Sequence, residues 1–284
     1  KVGPDGALYV SDWSDQQICH RGSNAVENWD RSNGRIYRVT YCKTSFPTRF
    51  PLPGGEDVWG TSWKTRSTFD LAKESDEALA KLAVQTENEW FSRMARRVLM
   101  ERVSSLHEFH RLSKSAALFL RQPLWHRDPK DSTPMPNLLR RFWTAWVTMD
   151  TGNFPYAYNS PHEVMRAWSV RLGHPDQNIG ARQNLAVTDK SPLVRRELAS
   201  SLPGLRPVAA VALATALLKH GEDKDDPMIP LLIWYGIEPL VAADPAVGMQ
   251  LAKASKLEKV TGFIYRRLSS DDAGRAALLG ELAK

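Results

Sequence analysis

The chain has 284 residues, 42% of them apolar, and a formal charge of +6. That length allows one large domain, or one domain with a piece of a second. No apolar run approaches the roughly 20 residues that a bilayer-spanning helix needs, and the sequence opens at Lys1 directly in strand-like residues, so a targeting segment is expected upstream of it, if the protein carries one.

The opening stretch runs from Gly3 to Trp13. Pro4-Asp5-Gly6 is turn chemistry, because Pro presets φ, Asp bonds its own backbone and Gly accepts positive φ. A short strand, Ala7-Leu8-Tyr9-Val10-Ser11, follows it. After a polar excursion, Gly34-Arg35-Ile36-Tyr37-Arg38-Val39-Thr40-Tyr41 reads as a second strand opened by Gly. Two strands alone are marginal in water, so the rest of their sheet is expected upstream. Residues 43–68 hold Pro47, Pro51, Pro53, Gly54, Gly55 and Gly60 and read as a linker. From Asp70 the apolar period turns helical. Leu71, Leu79, Leu82 and Ala83 predict one helix, and Trp90, Phe91, Met94, Val98 and Leu99 predict its partner, entered through Asn88 as N-cap. Further helices are expected over 108–121, 136–149, 161–172, 178–187, 192–202, 205–219, 228–242, 244–254 and 257–269, with a last one from Asp271. The organisation is thus a β region over 1–42, a linker over 43–68 and a helical domain over 69–284.

Within the helical domain, Asp189-Lys190-Ser191-Pro192-Leu193-Val194-Arg195-Arg196-Glu197-Leu198-Ala199 resembles the HEAT-repeat pattern. Asp or Ser caps the helix, Pro sits in its first turn, and Val194, Leu198, Ala199 and Leu202 form one apolar face. Arg195 at the helix start is placed to reach an acidic group of a neighbouring repeat. Weaker echoes occur at Asn88–Leu99 with Arg93, Pro161–Leu172 with Arg166, and Lys259–Leu268. Such units bury their apolar faces by stacking. The fold class expected is mainly α: a HEAT-like α-solenoid preceded by a short β segment from the last blade of a β-propeller.

The two β segments also resemble the last blade of propellers related to pyrroloquinoline-quinone glucose and sorbosone dehydrogenases. The order of propeller end, polar loop, Gly34-Arg35-Ile36-Tyr37 and HEAT-like helices is similar to large exported bacterial membrane-bound dehydrogenases. Asn88–Arg97 and Ile233–Leu240 resemble segments of that family too. The resemblance implies an exported, periplasmic or envelope-associated parent, whose partners are the rest of its propeller and an electron-accepting cytochrome c domain. Pyrroloquinoline quinone and haem c are the cofactors it implies for the parent; the fragment itself is expected to hold none. The quinone and substrate residues of the family belong to earlier blades. The haem motif Cys-x-x-Cys-His is absent at Cys19-His20, since Gln16 stands where its first Cys would be.

Asp12, Asp15, Cys19, His20 and Asp30 crowd one polar loop, with Trp13 beside them. They could hold a hard cation or touch substrate at a propeller mouth; the alternative is a loop of Asx-turns. Cys19 and Cys42 could form a disulfide in an oxidising compartment, worth roughly 3 kcal/mol, or pair upstream, or stay free. Glu238, in an apolar run, is either an inward carboxylate or the partner of a neighbouring Arg. Trp90, Trp143, Trp146, Trp168 and Trp234 could line a concave surface but suit a core. His107 and His110 are an isolated pair, and no phosphate loop or nucleophile elbow occurs.

The leading functional expectation is a non-catalytic propeller edge and helical scaffold of an exported quinone-dependent sugar or alcohol dehydrogenase. The alternative is an interaction module that binds partners through both parts. A third reading is a nucleic-acid binder, drawn from the basic excess around Arg93, Arg96, Arg97, Arg102, Arg111, Lys114, Arg121, Arg140 and Arg141. The acidic stretch from Glu222 to Asp226 weighs against it.

Overall fold

The computed structural model describes residues 1, 3, 7–11, 34–39, 70–104, 112–121, 133–148, 156–174 and 177–283. These divide into two compact units, one holding the strands and the first four helices, the other holding the remaining eight. The described chain is mainly helical, with one small two-stranded sheet.

In the first unit, β1 (Leu8–Ser11) and β2 (Ile36–Val39) pair antiparallel, with Leu8 opposite Val39 and Val10 opposite Tyr37. The start of the chain lies along the other edge of β1. Tyr9 N–H donates to the Lys1 carbonyl at 2.8 Å, and the Lys1 ammonium donates to the Tyr9 carbonyl at 2.7 Å. The pairing puts Leu8, Val10, Tyr37 and Val39 on one face of the ribbon. All four are exposed there.

Four helices complete this unit: α1 (Asp76–Gln85), α2 (Glu89–Ser104), α3 (Lys114–Arg121) and α4 (Met135–Thr148). Ser75 caps α1, its hydroxyl accepting from Ala78 N–H at 3.2 Å. Asn88 caps α2 as its sequence implies, its side-chain oxygen accepting from Trp90 N–H at 2.8 Å. The Asn88 amide then donates to the Gly3 carbonyl at 3.2 Å, tying the chain start to α2. α1 packs against the other three helices, and Leu79, Ala83, Leu99, Leu120 and Phe142 are completely buried among them.

The second unit comprises α5 (Glu163–Leu172), α6 (Ile179–Thr188), α7 (Pro192–Ser200), α8 (Pro207–Leu217), α9 (Ile229–Ala243), α10 (Pro245–Ala254), α11 (Glu258–Leu268) and α12 (Asp272–Leu282). Proline opens α7, α8 and α10, where its missing N–H costs nothing. Asp244 caps α10 and Asp271 caps α12 through their carboxylates. The packing skips one helix at a time. α5 lies on α7, α7 on α9 and α9 on α11, while α6 lies on α8, α8 on α10 and α10 on α12. A continuous core of Val194, Leu198, Leu213, Leu217, Ile233, Ile237, Leu251, Val260 and Ile264 fills the space between the two rows.

The start of α7 departs from its sequence reading. Val194, Leu198, Ala199 and Leu202 are buried as the pattern predicts. Neither Ser191 nor Asp189 caps the helix with its side chain, however. The Ser191 hydroxyl donates instead to Glu163 of α5 at 2.5 Å, and the Asp189 carboxylate is taken by Arg166. A charge-assisted bond is stronger than a neutral cap, so tertiary partners outcompete the local one. Farther back, α3 begins only at Lys114: of the helix expected from 108, Leu112 and Ser113 are not helical, the Ser113 hydroxyl accepting from Ala116 N–H at 3.3 Å at the helix start, and 108–111 lie outside the described residues.

Candidate functional site

Of the sequence-predicted site residues, Asp12, Trp13, Asp15, Cys19, His20, Asp30 and Cys42 lie outside the described residues, as do His107, His110 and His126. Among the described residues, no three His, Cys, Asp or Glu side chains gather closely enough to hold a metal ion. The chemistry the structure does describe is a set of ionic clamps between helices and one buried arginine.

The clamps follow the row of α5, α7, α9 and α11. Arg166 of α5 donates from Nε and Nη2 to the two oxygens of Asp189, at 2.7 and 2.9 Å, just before α7. Arg195 of α7 does the same to Asp223, at 2.6 and 2.5 Å, in the turn before α9. Its third arm, Nη1, donates to the Asp189 carbonyl at 2.9 Å, so the first clamp is joined to the second. Arg267 of α11 donates to Glu238 of α9 at 3.0 Å, which settles Glu238 as the partner of an arginine one row-step away. Planar guanidinium groups suit this role because they present a fork to both carboxylate oxygens. Arg195 and Asp223 are almost fully enclosed, at 3% and 4% side-chain exposure. Burial alone would push the Asp189 carboxyl up. The bonds from Arg166 and the Ser191 N–H, with the charges of Arg166 and Arg195, outweigh that and hold it below the ordinary range.

In the first unit the basic residues are largely spent internally. Arg102 donates to Asp76 at 2.7 Å and to the Ala72 and Glu74 carbonyls. Arg140 pairs with Glu89 and donates to the Thr86 carbonyl at 2.6 Å. Arg97 pairs with Glu101 one turn on. Arg96 lies 5.4 Å over the Trp143 ring, and Arg141 lies 5.2 Å over Phe119. The tryptophans serve as half-buried packing surfaces: Trp90 meets Phe91 edge-on at 5.1 Å and Trp234 meets Phe263 at 5.5 Å. Trp168 carries Arg171 over its face at 5.1 Å.

Arg182 of α6 is the functional-looking residue that sequence reading missed. It is 0% exposed. Nη2 donates to the carbonyls of Val170 and Gly173 at the end of α5, both at 2.7 Å. Among the described residues its Nε and Nη1 have no hydrogen-bond partner, and the enclosed hydroxyl of Tyr158 lies against Arg182 and the Asn178 side chain without a hydrogen bond of full geometry. The Tyr158 ring stacks on Tyr156 at 5.4 Å. Burial pushes the Tyr158 hydroxyl up and the Arg182 guanidinium down from their ordinary values. Gly173 belongs here because nothing larger fits: a Cβ would lie 2.7 Å from the Tyr158 hydroxyl and 3.0 Å from Arg182 Nη2. A sequence signal existed, since Arg182, Leu185 and Ala186 share the i, i+3, i+4 face of one helix.

Compared with known proteins, the chain matches no protein-family model, no curated protein and no solved structure.

Proposed function

We propose that this chain is a non-catalytic scaffold: a HEAT-like α-solenoid attached to the edge of a β-propeller blade, within an exported quinone-dependent sugar or alcohol dehydrogenase. The observation that carries the scaffold reading is the helix-skipping packing of α5 to α12, clamped along one row by Arg166–Asp189, Arg195–Asp223 and Arg267–Glu238. Each helix pair buries its apolar face only against its neighbours, which is how stacked repeats gain stability. The exposed face of Leu8, Val10, Tyr37 and Val39 supports the blade-edge reading, because such a ribbon needs further strands to cover it. The dehydrogenase assignment rests on the sequence resemblance. In this account the helices space the propeller from an electron-accepting cytochrome domain and do no chemistry themselves.

The test compares this chain with the product of its complete gene. The complete product binds pyrroloquinoline quinone and reduces a dye with at least one of a panel of sugars and alcohols; the chain alone does neither. Turnover by the chain alone would refute the scaffold, and an encoded protein with no strand-rich region before Lys1 would refute the blade edge.

A second reading, a partner-binding module without enzymatic activity, is favoured by Tyr235 on α9 and Tyr265 on α11. They present large aromatic side chains to solvent at 66% and 42% exposure, and exposed aromatics are preferred anchors at interfaces. A complete protein that neither binds the quinone nor reduces the dye puts this reading first.

A further inference from the structure

We propose that Arg182 and Tyr158, beside Gly173 at the end of α5, form an internal seat for a small monovalent anion: a halide or the carboxylate of a small acid.

The argument begins with charge. A wholly buried guanidinium needs a counter-charge, because an enclosed ion without one is strongly disfavoured. Arg166 and Arg195 show how this unit meets that need, each gripping both oxygens of an aspartate. Arg182 has no such partner among the described residues. Among the described residues, the ionisable groups that act on it are the phenols of Tyr158 and Tyr156, and no carboxylate does. The Val170 and Gly173 carbonyls contribute only the partial negative charge of a helix C-terminus, and they occupy Nη2 alone.

Hydrogen bonding leads to the same place. Among the described residues, Arg182 Nε and Nη1 are donors without acceptors, and the Tyr158 hydroxyl, which lies against Arg182 and the Asn178 side chain, makes no hydrogen bond of full geometry. Tyr158 and Arg182 flank the same glycine, so these groups are neighbours. The backbone beside them is unusual as well. Asn178, immediately before α6, has φ 55°, the one left-handed residue other than glycine among the described residues. Its side chain does not cap α6. Arg182 follows on the first turns of that helix, where long side chains lean back towards the N-terminus. The guanidinium and the phenol thus stand together beside Gly173, where a negative guest completes both. The guest is monovalent because one guanidinium is the only full charge at the seat among the described residues; a dianion would leave a buried negative charge in exchange for a buried positive one.

The test uses the whole chain in sodium gluconate, whose bulky anion cannot enter, with chloride, bromide or formate substituted at constant ionic strength. Bromide NMR line broadening and the thermal midpoint are followed together. We expect saturable bromide broadening and a saturable rise in Tm with the small anions. Tyr158→Phe keeps the ring and removes one charge-assisted donor, so the apparent affinity should weaken about tenfold. Arg182→Met should abolish the response, and if that variant does not fold, Tyr158→Phe still decides the question. A response to halides alone or to formate alone identifies the guest. A Tm that is indifferent to the anion, absence of saturable broadening, or an unchanged affinity in Tyr158→Phe overturns the proposal and leaves water as the partner of these donors.

Discussion

Removing the Asp223 carboxylate should be the most damaging single change to the clamped row. Asp223 accepts two bonds from Arg195, at 2.6 and 2.5 Å, and both side chains are nearly sealed from solvent. In Asp223→Ala the guanidinium keeps the Asp189 carbonyl at 2.9 Å, a single neutral acceptor. Glu222 stands 3.7 Å away, but its side chain is 59% exposed, so water screens what it can offer. Breaking one side of a buried pair costs about 3–5 kcal/mol, and partial relief from Glu222 places the expected loss near the lower figure. Urea unfolding followed by helical circular dichroism gives the loss, and hydrogen exchange should locate it in α7 and α9. The double variant Arg195→Met/Asp223→Leu removes both charges and should recover most of it, to within about 1 kcal/mol of the parent chain. If Asp223→Ala alone costs less than about 1 kcal/mol, the pair is not desolvated as described and the clamp argument fails.

Arg97→Ala, which breaks an exposed pair with Glu101, should shift stability by no more than about 0.5 kcal/mol in the same assay. Gly236→Ala should destabilise by about 1–3 kcal/mol, because a Cβ there would stand 2.5 Å from the Leu202 Cβ; combining it with Leu202→Gly, which removes that Cβ, should cost less than the two changes added, measured as a double-mutant cycle. Asp189 sets an acid limit. Its folded-state pKa lies below the unfolded value, so it adds stability above the unfolded pKa, near about 4, and that contribution is lost as pH falls through the folded pKa. Asp189→Asn should be less stable than the parent at neutral pH, with the gap closing as the solution is acidified; a gap independent of pH would show that the carboxylate is not held ionised by Arg166.

The helical part was legible because local chemistry and apolar period agree there. Proline at the first turns of α7, α8 and α10, and Asn88 before α2, mark helix starts that the structure places within a residue or two of expectation. The ribbon was legible as two strands for the same reason. Its alternation assigns Leu8 and Val10 to one face but says nothing about what covers that face, and in this chain they remain exposed.

Partners across long sequence separations were not legible. The pattern at Arg195 implies some acid in a neighbouring unit, yet the run from Glu222 to Asp226 offers several. Only packing shows that Asp223 points inward and is 3% exposed while Asp225 faces solvent. Ser191 fails for a related reason: a cap is the favoured local choice, but Glu163 approaches from α5 with a full charge. Arg182 is the extreme case. Helical period puts it on the buried face, and ordinary expectation puts a charged residue outside. The period prevails, and the cost of that outcome falls on the donors it leaves bare. In this chain, then, sequence reveals which residues turn inward more readily than it reveals what they meet there, and the positions where an inward charge meets no carboxylate are where chemistry beyond scaffolding should be sought.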